Sequence, residues 1–163
     1  MNSPTEQKHS SIGLQSFSNL NEAEVQWIRD CLNQAKVLAH KYLALDETVS
    51  LDPAVLDRAY ATWLALWQNG NASEDPNTVV NCIGLAFGQR LVDSLGMKWV
   101  VVADAQGTDM GVCFGPPTTG VLVFPTHTVA NRLETRETGF IQTLFEAIRA
   151  RIAGLNFTTV TQG

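Results

Sequence analysis

At 163 residues, 45 % apolar and 17 % charged, the chain has the size and balance of one globular domain with a real core, which excludes disorder over most of its length. A net charge of −5 with 11 scattered Lys and Arg residues argues against nucleic-acid binding, which needs clustered cations, and a basic or polyanionic partner is expected instead. Cys31, Cys82 and Cys113 are odd in number, far apart and set in apolar patterns, so they read as reduced core thiols in a cytoplasmic protein rather than as a disulfide framework.

Residues 1–20 are Ser-rich and polar, without the apolar run of a signal peptide or membrane span, and are expected to be a flexible leader. Order is expected over 21–154 as a single α+β domain, with 155–163 as a flexible tail. Asn21 followed by Glu24 has the form of a capping box. Behind it Val25, Ile28, Leu32, Ala35, Ala39 and Tyr42 recur at spacings of three and four, which predicts a first helix with one buried face.

Asp52 with Pro53 opens a second helix, in which the aspartate is expected to cap an amide, and Gly70 closes it. Its buried stripe is predicted to be Leu56, Tyr60, Trp63 and Trp67, widened by Ala59 and Leu66, and an aromatic stripe of this kind reads as core packing rather than as a cofactor box. Asp75 and Pro76 repeat the same opening for a third helix that runs to Gly96. It is apolar on more than one side, so it is expected to be central, between other helices and a sheet. Gly84 and Gly88 stack on one of its faces and cost about 1 kcal/mol each relative to alanine, which implies close approach of another backbone.

From Met97 the period changes from helix to strand. Trp99 to Ala103 forms a strand apolar on both faces, Asp104-Ala105-Gln106-Gly107 supplies a hairpin turn, and a second strand runs from Thr108 to Phe114. After a proline-rich turn, Val121 to Phe124 gives a third strand that Pro125 stops, completing a three-stranded antiparallel meander with helices on one face. A short helix around Val129 to Leu133 and a longer one with Phe140, Ile141, Leu144, Phe145, Ile148 and Ile152 buried, ending at Gly154, complete the α+β chain.

Gly84-Leu-Ala-Phe-Gly88, Gly96-Met97 with Trp99, Asp104 with Gly107, Phe124-Pro125, Arg132 and Glu137-Thr138-Gly139-Phe140 together resemble the bacterial domain-of-unknown-function family numbered 3806, over about 51–152. The resemblance implies a small α+β bacterial domain and carries over neither a catalytic residue nor a cofactor.

For chemistry, the sharpest enzymatic arrangement is Cys82 as nucleophile, His127 as base and Asp104 or Asp109 as its orienter, but Cys82 lies about two turns into its helix, beyond the terminal dipole. His9, His40 and His127 stand on different segments without zinc spacing, so no metal and no cofactor are expected. Asp104 with Asp109, or Glu134 with Glu137, have the composition of a hard-cation site or an acid/base pair; Asp104 also starts a turn with Asp109 just past it, and the two glutamates read as a solvated early helical turn. Asp104, Asp109, His127, Arg132, Glu134 and Glu137 are the candidate binding residues. The charged segment from His127 to Glu137, with Arg beside carboxylates, can make bidentate contacts within the protein, as an internal network near the sheet edge, or to a partner, and the partner reading points to a non-catalytic protein-binding module of immunity or adaptor type. The alternative is a small-ligand binder or hydrolase using a cleft between sheet and helices, lined by Trp99 or Tyr60. A monomer or a homodimer is expected, the latter through the sheet edge or the Trp63 and Trp67 stripe, with neither nucleic acid nor membrane as partner.

Overall fold

The structure is a computed structural model that describes residues 14–46 and 48–161, so His9 lies outside the described residues. Its elements in order are β1 (Ser16–Ser18), α1 (Glu22–Leu43), α2 (Pro53–Gln68), α3 (Pro76–Leu95), β2 (Lys98–Asp104), β3 (Gly107–Phe114), β4 (Val121–Val123), α4 (Pro125–Thr135) and α5 (Phe140–Thr161). The chain is α+β, as the change of period implies, with helices before and after the strands.

The meander is present, but the antiparallel sheet of the described residues has four strands in the order β1-β2-β3-β4. The additional strand comes from the segment read as a leader: Phe17 lies opposite Val102, in register with Ser16 on Ala103 and Ser18 on Val101. Three residues give too short an alternation to stand out, and an edge strand takes its hydrogen bonds from a partner distant in sequence. At the other end α5 passes Gly154 and continues to Thr161, because a glycine inside a helix weakens it without stopping it. Likewise Pro125 both stops the third strand and begins α4, a turn earlier than the apolar pattern suggests, since the fixed φ of proline suits a first helical position.

The capping box at Asn21 forms as predicted, with Glu24 N donating to Asn21 Oδ1 and Asn21 N to Glu24 Oε1, both at 2.8 Å. The buried face of α1 is centred on Ile28, Cys31, Ala35, Leu38 and Ala39, leaving Val25 exposed. Asp52 precedes α2 without capping it; its carboxylate instead accepts from Ser50 Oγ and lies 3.3 Å from Arg90 Nη2. Asp75 does cap, accepting from Asn77 N at 2.7 Å, and Gly96 ends α3 in the left-handed conformation.

α3 is central, in contact with the other four helices and with the sheet. Gly84 and Gly88 are where α4 meets it. A Cβ on Gly84 would stand 2.8 Å from Thr126 Cα and 3.1 Å from Pro125 O, and one on Gly88 would meet the Trp99 and Pro125 rings. Trp99 is fixed over this spot by its Nε1 donating to Gln89 Oε1 at 3.0 Å. Trp99, Val101, Met110, Val112 and Val121 face the helical core, whereas Phe17, Val100, Val102, Cys113, Leu122 and Phe124 form a second cluster on the outer face.

Glu74 joins the end of α1 to the start of α3, accepting from Lys41 Nζ and Tyr42 OH, each at 2.7 Å. Burial pushes its carboxyl up, but the hydrogen bonds from Lys41 and Tyr42 outweigh this and hold it below the ordinary glutamate value. A folded-state value below the unfolded one, about 4.3, means a stabilising contribution that is complete above the unfolded value and lost as pH falls through the folded one. Glu74→Gln is therefore expected to flatten the drop in melting temperature between neutral and acid pH. An unchanged slope would rule Glu74 out as a source of acid sensitivity.

Candidate functional site

The hairpin between β2 and β3 places two carboxylates on one face of the sheet. Asp104 Oδ1 accepts from Gln106 N at 2.8 Å and closes the turn, after which the register sets Asp104 opposite Gly107 and Asp109 opposite Val102. Alternation then directs Asp104, Val102 and Asp109 to the outer face together. Asp109 is held from both sides: its Oδ1 accepts from Met110 N at 2.8 Å, and its Oδ2 lies 2.9 Å from His127 Nε2.

His127 reaches this position because α4 begins at Pro125 against α3. The imidazole stands in the first turn of α4, its ring 6.0 Å from that of Phe124. A carboxylate only accepts, so Nε2 carries a hydrogen and Nδ1 is the ring nitrogen left for a ligand. With the His127 side chain 67 % exposed and that of Asp109 28 % exposed, the couple forms the rim of a cleft rather than a buried network. The cleft holds about 410 Å³, with Val102 and Phe124 apolar, Asp104, Asp109 and His127 titratable, and Gln15 contributed from just before β1. Gln15 was not legible as a site residue, since its only link to the hairpin is the pairing of β1.

Three of the six candidate residues thus come together, and the other three do not join them. Arg132 Nη1 pairs with Glu137 Oε2 at 2.9 Å and its guanidinium lies 5.8 Å from the Phe140 ring. Arg136 donates to Leu133 O and covers Trp67 at 4.9 Å. Glu134 is exposed in the last turn of α4 and Glu137 follows that helix, so neither belongs to an early helical turn. The charged segment closes the α4–α5 connection and covers Trp67 of α2 and Phe140 of α5, and exposed pairs of this sort are worth little in isolation.

The enzymatic arrangement is half assembled. Asp109 does orient His127, but Cys82 is buried on α3, outside the cleft lining, where burial pushes its thiol up to about 12. Such a thiol is protonated and inert at neutral pH. Tyr60 and Trp63 are fully buried, and Trp99 faces the helices, so none of them lines the cleft or offers a dimer surface. Among the described residues no three His, Cys, Asp or Glu side chains converge as metal ligands, and no helix is long and apolar enough to cross a membrane.

The family model described as a domain of unknown function, DUF3806, matches residues 60–145. The chain belongs to the DUF3806 family. In this DUF3806 domain the glycines of α3, Trp99 and Pro125 all meet at the α3–α4 junction, so those motif residues build the scaffold under His127. A crystal structure from Bacteroides thetaiotaomicron VPI-5482 has a similar fold, with TM-score 0.63 and 13 % identity over 82 % of this chain. The DUF3806 chain spans 46 % of that protein's length. No curated protein matches it.

Proposed function

We propose that this DUF3806 chain is a non-catalytic binding module that takes a cationic group, an ammonium or guanidinium, in the cleft at the β2–β3 hairpin. The observation that supports this reading is the meeting of Asp104, Asp109 and His127 over an apolar floor of Val102 and Phe124 in an open volume of about 410 Å³. Two carboxylates against one imidazole leave the rim negative at neutral pH, in keeping with the net charge of −5. The volume lies in the range of small-ligand sites, and the apolar floor accepts the carbon stem that carries such a charge. The cation belongs either to a free small molecule or to a Lys or Arg side chain of a protein partner, the immunity or adaptor case.

Both sources can be tested by titrating the isotopically labelled chain with agmatine and, separately, with an acetylated arginine-containing peptide. Amide shifts at Asp104, Thr108 and Asp109 that weaken with salt are expected, and Asp109→Asn should reduce affinity about tenfold, the loss of one charge-assisted contact. Binding of the peptide alone would favour the protein partner, and binding of both the free amine. Shifts elsewhere, or none with either probe, would overturn the assignment.

A further inference from the structure

We propose that His127 is a proton switch on the cleft, admitting a cation while its imidazole is neutral and weakening its hold once the ring is protonated. This inference rests on the cationic reading of the cleft and adds the regulation of that site. One proton on this ring changes both features that a bound cation would use. With Nε2 2.9 Å from Asp109 Oδ2 and donating to it, the neutral ring keeps Nδ1 as an acceptor for an ammonium or guanidinium N–H. Protonation turns Nδ1 into a donor, and the positive charge cancels half of the negative charge that Asp104 and Asp109 give the lining. Histidine changes charge between about pH 5 and 8, and a side chain 67 % exposed exchanges its proton directly with solvent.

The groups around the ring leave this role to His127. β3 brings Asp109 and β2 brings Asp104, whose Oδ1 is occupied by Gln106 N, while β1 carries no titratable residue and is preceded in the lining by Gln15. On α3, against which α4 packs, Arg90 Nη2 donates to Ser50 Oγ at 2.8 Å and lies 3.3 Å from Asp52, Asp93 accepts from Gln89, and Cys82 is buried. Further along α4 itself, Arg132 is paired with Glu137, and Glu134 is exposed in the last turn. Among the described residues, His127 is therefore the one side chain of the lining that can become a cation. The coupling runs both ways by thermodynamic necessity: a proton that weakens the bound cation is itself held less tightly when the cation is present.

The test titrates the full chain with agmatine across the histidine range and follows the imidazole signals by NMR with and without saturating agmatine. Loss of one acceptor and gain of a like charge should weaken binding about tenfold from the alkaline to the acid end of the range. The titration midpoint of His127 should fall when agmatine is bound. That of His40, on α1 with its Nδ1 2.6 Å from Leu45 O, should stay where it was and serves as the reference. His127→Gln, whatever its affinity, should bind agmatine equally across the range. A His127 midpoint unmoved by bound agmatine, or a His127→Gln variant that keeps the parent's pH profile, would overturn the switch while leaving the cation site standing. Failure of the parent to bind agmatine even at the alkaline end would remove the site, and the switch with it.

Discussion

Gly84→Ala is expected to destabilise the protein by about 1–2 kcal/mol although alanine is the better helix former. The substitution gains about 1 kcal/mol of helix propensity, but overpacking a close-packed contact costs up to about 3 kcal/mol. Here the obstructing atoms are the backbone of Thr126 and Pro125 at 2.8–3.1 Å, which cannot rotate away as a side-chain tip would. The strain must move α4, and with it His127. Denaturant unfolding should show the loss of stability, and imidazole NMR signals should report loosening of the His127–Asp109 contact. A variant as stable as the parent, with the imidazole undisturbed, would mean that α3 and α4 do not approach this closely.

The second large effect is expected at Asp57, on α2. Its carboxylate accepts from two backbone amides at the start of α5, Ile141 N on Oδ1 and Gln142 N on Oδ2, both at 2.8 Å. It therefore does for α5 what a local cap does for other helices, with a negative charge against the positive end of the helix dipole. Hydrogen bonds to a charged group contribute about 1.5–3 kcal/mol, so Asp57→Ala should cost about 2 kcal/mol or more, and Asp57→Asn, which keeps one acceptor, about half as much. Urea unfolding of the two variants checks the order. Equal stabilities would show that solvent replaces the carboxylate at the helix end.

Asp57 also marks where sequence reasoning stops. Caps made by neighbours in sequence, at Asn21 and Asp75, are legible because the acceptor and the amide lie within three residues. Asp57 serves amides more than eighty residues away, so nothing in its own segment distinguishes it from any other polar position on a helix. The same distinction divides the rest of the fold. The five helices, the hairpin and the glycine contact follow from period, punctuation and spacing, whereas β1 depends on a partner strand beyond three helices. Among the candidate site residues, Asp104 and Asp109 are brought together by a two-residue turn that the sequence announces. Their meeting with His127 depends on the packing of α4 on α3, of which only the glycines give a sign. Arg132 and Glu137 were legible as members of an internal charged network but not as partners of one another, because the end of α4 after Thr135 rests on a left-handed Arg136, a conformation the residue type does not advertise.

The pairing of β1 has a kinetic consequence. Bringing Phe17 to Val102 closes a loop that contains α1, α2 and α3, and that entropy must be paid for by a ladder of three residues. Such an edge docks late in folding, after the β2–β3 hairpin has formed locally, and in the native state so short an edge strand opens far more readily than the β2–β3 hairpin it rests on. Each opening would carry Gln15 away from the hairpin while leaving the helical core intact. The cleft thus has one wall whose amides should exchange with solvent far sooner than those of the strand it rests on.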